Sequence, residues 1–196
     1  MPSASSSHRK IVVITAPSGS GKNTLINALL QRRNDLEYSI SSTTRPARRG
    51  EVHGKNYWFL PAAEFEAEIK AGNFLEYASV IDNFYGTSIR EIERIFKNNK
   101  TPILDIDVQG ARTLLKKNLN LISIFIRPPS LAELRRRLEE RATETQEQID
   151  RRIRLATEEL DHAQEFQYRV LNDNLENAIA DLNQILDKEL GLGQSS

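Results

Sequence analysis

The sequence of 196 residues contains no cysteine. Disulfides, thiolate zinc sites and a cysteine nucleophile are therefore excluded, and such a chain suits a reducing compartment. There is no excess of either charge, with 27 basic residues against 27 acidic ones. No global field draws the protein toward nucleic acid or anionic lipid, so an anion site has to be built locally. Long apolar runs are also missing. The first, Ile11 to Ile14, follows a polar lead from Met1 to Lys10 and is too short for a signal-peptide core or a membrane span. These absences predict a cytoplasmic protein with no nucleic-acid or membrane partner. Histidine is scarce and scattered, at His8, His53 and His162, which argues against a zinc centre or a histidine base. No repeat, low-complexity linker or sustained heptad is present.

The chain has instead an alternation of short β-branched runs and helical periodicities. Lys10 to Thr15 reads as a strand, and after the turn Gly19 to Lys22 the residues Leu25, Ile26, Leu29 and Leu30 recur at helical spacing. Pro102 to Asp107 leads into a helix near Gln109 to Lys116, and Leu121 to Ile126 leads through Pro128-Pro129 into Leu131 to Leu138. Tyr168 to Leu171 is the expected last strand. Asn174 to Leu190 is the closing helix, with Leu175, Ile179, Leu182 and Leu186 as its apolar face. The pattern predicts an α/β fold with buried parallel strands and helical crossovers. Two stretches depart from it. Tyr38 to Ser88 is rich in Thr, Tyr, Phe and Arg and reads as a small β-rich insertion, and Arg135 to Arg154 reads as a hinged flap. Residues 1–9 and 191–196 are expected to be loose tails.

The segment Ala16-Pro17-Ser18-Gly19-Ser20-Gly21-Lys22-Asn23-Thr24 lies between a strand and a helix. In that setting backbone N–H groups and a helix N-terminus wrap an anion, and Lys22 sets an ammonium against the β- and γ-phosphates of a nucleotide. The common pattern Gly-x-x-x-x-Gly-Lys-Ser/Thr is broken twice, by Ala16 and by Asn23 at the position of the magnesium-binding hydroxyl. Thr24 offers a hydroxyl one residue later, so both Asn23 and Thr24 stand as candidate magnesium ligands.

Tyr38 to Glu51, containing Ser41, Arg45-Pro46-Ala47-Arg48 and Gly50, is followed by Gly54 to Tyr57, by Gly72 to Tyr77 and by Phe84 to Ser88. In this order the segments resemble the GMP-binding region of guanylate kinases. The resemblance runs from Ile11 to about Leu190 and implies a three-layer P-loop kinase fold with a parallel central sheet, a β-rich GMP-binding insertion and a mobile helical lid. It divides the domain, residues 10–190, into a core (about 10–37, 89–134 and 158–190), a GMP-binding region (about 38–88) and a lid (about 135–157).

Arg45 and Arg48 could bring two guanidinium forks onto one monophosphate, with the Tyr57 hydroxyl as a further donor. Guanine presents two donors, N1–H and the exocyclic amine, and one carboxylate accepts both, so Glu76 would select guanine. Adenine would set a lone pair against that carboxylate. Ser41, Tyr85, Gly86 and Thr87 are expected around the purine or its phosphate. Alternation along a strand puts Asp105 and Asp107 on one face at the end of the run Ile103 to Asp107, with helix capping as the other use of Asp107. The resemblance places Asp105 near the magnesium and phosphate region, acting through water, and Asp107 near guanine, with Gly110 allowing close approach. It places Arg137, Arg141 and Arg152 over the ATP phosphates, and Asn172 beside adenine. Lys22, Arg45, Arg141 and Arg152 are the expected catalytic groups. The implied reaction is magnesium-dependent transfer of the γ-phosphate of ATP to GMP, with the use of dGMP left open. The alternative is a catalytically weak or inactive guanylate-kinase-like binding module. Oligomeric state is left open.

Overall fold

The computed structural model describes residues 9–80, 82–140 and 145–191. The β-branched run Ile11–Thr15 forms β1, in which all five residues are buried. It lies at the centre of a five-stranded sheet because both of its edges pair in parallel. Its neighbours are β7 (Thr101–Asp105) and β8 (Leu121–Arg127), and the outer strands are β2 (Leu36–Tyr38) and β9 (Tyr168–Leu171), giving the order β2-β7-β1-β8-β9. Strands buried on both faces need no polar alternation, which is why they read as continuous apolar runs.

Helices cover both faces. On one, α1 (Lys22–Arg32) and α7 (Leu175–Leu190) pack Leu25, Leu29, Ile179, Leu182 and Leu186 against Val12, Ile14, Ile122 and Ile124. On the other, α3 (Ile89–Lys97) and α4 (Val108–Leu115) bring Ile92, Ala111 and Leu114 against Val13, Leu104 and Phe125. The expected apolar face of α7 needs one correction: Leu175 is exposed and Ala178 is buried in its stead. Leu175 directly follows the N-cap Asn174, whose side chain accepts from the N–H groups of Glu176 and Asn177, and as the first residue of the helix it lines a surface cavity rather than the core.

The segment expected to be β-rich forms a second sheet of order β4-β3-β6-β5, from β3 (Ser42–Thr43), β4 (Trp58–Phe59), β5 (Phe74–Val80) and β6 (Asn83–Ser88). It also contains a helix, α2 (Ala62–Lys70), held by Phe65 stacking on Phe74 and Phe84. Tyr38 belongs to the main sheet rather than to this one. Two further helices, α5 (Leu131–Glu140) and α6 (Gln146–Asp161), share a small core of Leu134, Leu138, Ile149 and Ala156. Arg135 pairs with Asp150 across them at 2.7 Å, and Arg136 pairs with Glu133 at 2.8 Å. Thr145 caps α6 in a reciprocal capping box with Gln148. Arg141 lies outside the described residues.

Candidate active site

One cleft of about 790 Å³ runs from the C-terminal ends of β1 and β7 to the second sheet, the position at which parallel α/β sheets bind ligands. Its floor is the loop between β1 and α1. Gly19 and Gly21 have φ of +92° and +85°, where an L side chain is strained, and a Cβ on Gly21 would meet the Asn172 amide nitrogen at 2.5 Å. Ala16 has no positive φ, so the missing first glycine costs the loop nothing. Helix α1 begins at Lys22 without a side-chain cap, leaving its first N–H groups directed at the cleft. Lys22 Nζ donates to the carbonyl of Ile106 at 2.9 Å and pairs with Asp105 at 2.5 Å. An ammonium has three N–H donors, so one remains for a ligand. Asn23 and Thr24 are exposed in the first turn and line the cleft, together with Ala16, Pro17, Ser18 and Ser20.

At the far end, Glu76 on β5 is 5% exposed and accepts a 2.7 Å bond from the Thr87 hydroxyl on β6. Burial raises its pKa, the Thr87 hydroxyl works against that, and the charge of Asp107 adds to it. Asp107 does not continue the strand as expected. β7 ends at Asp105, and Asp107 turns to become the N-cap of α4, accepting from the N–H of Gly110 at 2.7 Å. Two carboxylates thus meet over Gly110, where a Cβ would lie 2.9 Å from Glu76 Oε2 and 3.3 Å from Asp107 Oδ1. Glu76, Asp105, Asp107, Ser41, Tyr57, Tyr85 and Gly86 all line the cleft. Thr87 and Gly110 stand behind it: the Thr87 donor is spent on Glu76, and the room that Gly110 leaves is taken by the carboxylates.

Arg45 also stands behind the lining, its guanidinium over the rings of Tyr57 and Phe59 at 5.4 and 5.7 Å and paired with Glu51 at 2.8 Å. Arg48 is exposed on the following turn. The third wall comes from α6. Arg152 donates to the hydroxyl of Ser18 at 2.8 Å, and Glu159, one helical stretch further on, accepts from the Ser18 N–H. Glu159 Oε2 is buried with no hydrogen-bond partner. Burial, and then the charge of Asp107, push its carboxyl up to about 7 against the pull of Lys22 and Ser18.

A smaller cavity of about 410 Å³ adjoins the loop on its other side, lined by Gly19, Gly21, Thr24, Arg137, Asn172, Asp173 and Leu175 among others. Thr24 borders both cavities, whereas Asn23 borders only the cleft. Asn172 is buried and donates to the carbonyl of Ser20 at 2.7 Å, so its amide nitrogen braces the loop. Arg137 reaches the Asn172 carbonyl at 3.3 Å and is paired with Glu133.

Sequence reasoning missed Tyr38, Gln109, Leu155 and Glu159, which also line the cleft. Tyr38 could have been found from its place at a strand end. Glu159 carried no signal, since Glu158-Glu159 looks like any solvated helix face.

Among known proteins, a family model described as Guanylate kinase matches residues 8–189. A guanylate kinase of Sulfurimonas denitrificans is 43% identical over 178 residues, covering 90% of this chain and 86% of that protein. One of Haemophilus ducreyi is 45% identical over 181 residues, covering 91% and 88%. The crystal structure of guanylate kinase from Anaplasma phagocytophilum superposes with a TM-score of 0.74 at 32% identity, covering 94% of this chain and 87% of that one.

Proposed function

The chain belongs to the guanylate kinase family, and from that premise we propose that its cleft transfers the γ-phosphate of ATP to GMP, giving ADP and GDP. The observation that carries the proposal is the pairing, within one cleft, of a phosphate loop holding Lys22 with the buried Glu76 and half-buried Asp107 carboxylates at the opposite end. A loop of N–H donors and a lysine suits a polyphosphate, and a desolvated carboxylate with a second one beside it suits the N1–H and amino donors of guanine. A binding module without activity is not favoured, because Lys22 and Arg152 both reach the phosphate loop side of the cleft.

Phosphoryl transfer of this kind depends on alignment and charge neutralisation. In the proposed mechanism the loop from Ser18 to Thr24 holds the ATP β- and γ-phosphates and Lys22 directs its remaining N–H to them. Glu76 and Asp107 hold the guanine edge. Tyr57 and Tyr85, backed by Arg45 and with Arg48 following, hold the GMP phosphate so that its oxygen faces the γ-phosphorus. Arg152, with Arg141 and Arg137, neutralises charge from the flap side, and the flap keeps water from replacing GMP as acceptor.

Among the described residues no group of three acidic, histidine or cysteine side chains could hold a metal by itself. That suits magnesium, which keeps several waters and takes most of its remaining ligands from phosphate. The oxygens of Asn23 and Thr24, with Asp105 through water, would hold it, and it would neutralise charge on the transferred group. A role in recycling GMP or dGMP in the cytoplasm follows from the same proposal. Among the described residues no helix is long and apolar enough to cross a membrane.

Coupled release of ADP, measured with GMP, AMP, UMP and no acceptor, tests the proposal. Turnover should require GMP, fall by about 100-fold or more in Lys22→Ala through loss of a charge-stabilising donor, and lose its preference for GMP over AMP in Glu76→Ala. Binding of GMP without ADP release would sink the enzyme assignment.

A further inference from the structure

We propose that Glu51 is a positioning residue for the acceptor monophosphate: it fixes the guanidinium of Arg45 and the turn that carries Arg48 before the nucleotide arrives. The inference deepens the proposed function and rests on it. Glu51 takes no part in lining the cleft, yet its carboxylate joins both arginines. Oε1 accepts from Arg45 Nη2 at 2.8 Å, and Oε2 accepts from Arg45 Nη1 at 2.9 Å and from the backbone N–H of Arg48 at 2.7 Å. The Glu51 N–H returns a bond to the carbonyl of Arg48 at 3.0 Å, closing the turn through Gly50, whose φ is +88°.

The pairing is end-on. Arg45 spends its two Nη1 hydrogens on Glu51 and the carbonyl of Pro46, and one Nη2 hydrogen on Glu51. A guanidinium has five donors, so Nε and the second Nη2 hydrogen lie outside these bonds. Together they form the side-on fork, which matches a phosphate as well as the end-on fork matches a carboxylate. The plane of that fork is set by Glu51 on one side and by the Tyr57 and Phe59 rings beneath. Tyr85, which lines the cleft, also accepts from Arg45, and with three donors already spent that bond falls on the fork, which a phosphate would share with or take over from the tyrosine. Ordering a long arginine in advance removes an entropy cost from binding, and that gain is felt only by a ligand that carries the phosphate. Arg45 and Glu51 side chains are 12% and 20% exposed, so water screens the pair only partly.

The test is isothermal titration of GMP and of guanosine to wild type, Glu51→Gln, Glu51→Ala and Arg45→Ala, with KM for both substrates. Glu51→Gln keeps the size but sets an amide N–H₂ against an arginine donor, so it should behave much like Glu51→Ala. Both should weaken GMP about tenfold or more, as loss of a charged hydrogen bond does, and leave guanosine affinity and KM for ATP unchanged. Unchanged ATP behaviour also shows that the variants are folded. GMP binding that is unaltered or tighter in Glu51→Gln, while Arg45→Ala weakens it, overturns the positioning role alone, the tighter case marking Glu51 as a competitor of phosphate. An Arg45→Ala variant with normal GMP affinity overturns the assignment of Arg45 on which the inference stands.

Discussion

Glu159 sits between the phosphate loop and Asp107, with one oxygen accepting from Ser18 and the other unpartnered. Its carboxyl is held up to about 7 from an ordinary 4.5, chiefly by burial. Between these two values the folded protein binds more protons than the unfolded chain, so this group's contribution to stability falls as pH rises through that window. The loss is complete above pH 7. Because the side chain is only partly buried, the effect amounts to about 1 kcal/mol after allowance for solvent screening. Glu159→Gln keeps the acceptor for Ser18 and removes the charge. Thermal unfolding of the nucleotide-free protein should show the variant about 2–4 °C more stable at pH 8, with the difference vanishing near pH 4.5. Equal midpoints at pH 8 would remove the carboxylate strain. Individual residues were legible in the sequence where a short motif fixes their neighbours: Lys22 by the glycines before it, Glu76 by the segments around it. Glu159 was not, since its partners are 141 and 52 positions away, at Ser18 and Asp107, and only packing of α6 brings them together.

At the level of elements, the corner from β7 to α4 does two jobs with one side chain. Asp107 caps the helix and stands beside Glu76, so removing it mixes a folding cost with a loss of charge. Asn caps a helix about as well as Asp does. Asp107→Asn should therefore leave the unfolding midpoint within experimental error of wild type while GMP affinity falls about tenfold through loss of a charged acceptor. Asp107→Ala should cost about 1 kcal/mol of stability as well. Urea unfolding alongside GMP titration separates the two; an Asn variant as unstable as the Ala variant would mean the charge itself holds the corner. The parallel strands were visible because burial on both faces demands unbroken apolar runs. Strand alternation was carried two residues too far, to Asp107, because backbone turning into a helix ends the period of two. Helix α2 went unseen for a different reason: Phe65 is its only buried residue, so it has no apolar stripe to read.

Across the whole molecule, charge balance leaves ligand binding to local groups, and binding should register as stability. At GMP about 100-fold above its dissociation constant the folded state gains about 2.7 kcal/mol, which raises the unfolding midpoint by about 5–10 °C. AMP should give a smaller shift, and Glu76→Ala should lose most of the GMP shift; a shift that persists in that variant would place guanine elsewhere. Four strands of the main sheet follow from patterns any doubly covered α/β chain would show, whereas the three-residue β2 and the strand order do not. In the smaller sheet β5 and β6 form a local hairpin, but β3 and β4 join it through pairings far apart in sequence, Ser42 with Gly86 and with Trp58, and two-residue strands leave almost no periodicity to detect. Yet that sheet leaves the main one just after β2 and returns just before α3, so everything between residues 39 and 88 is one continuous loop-out of the chain. On the roles proposed for Ser41, Tyr57, Glu76 and Tyr85, acceptor choice is accordingly encoded in a cassette, apart from Asp107 at its border. Exchanging this single stretch between kinases of related fold should then change which nucleotide is phosphorylated while KM for ATP stays as it was.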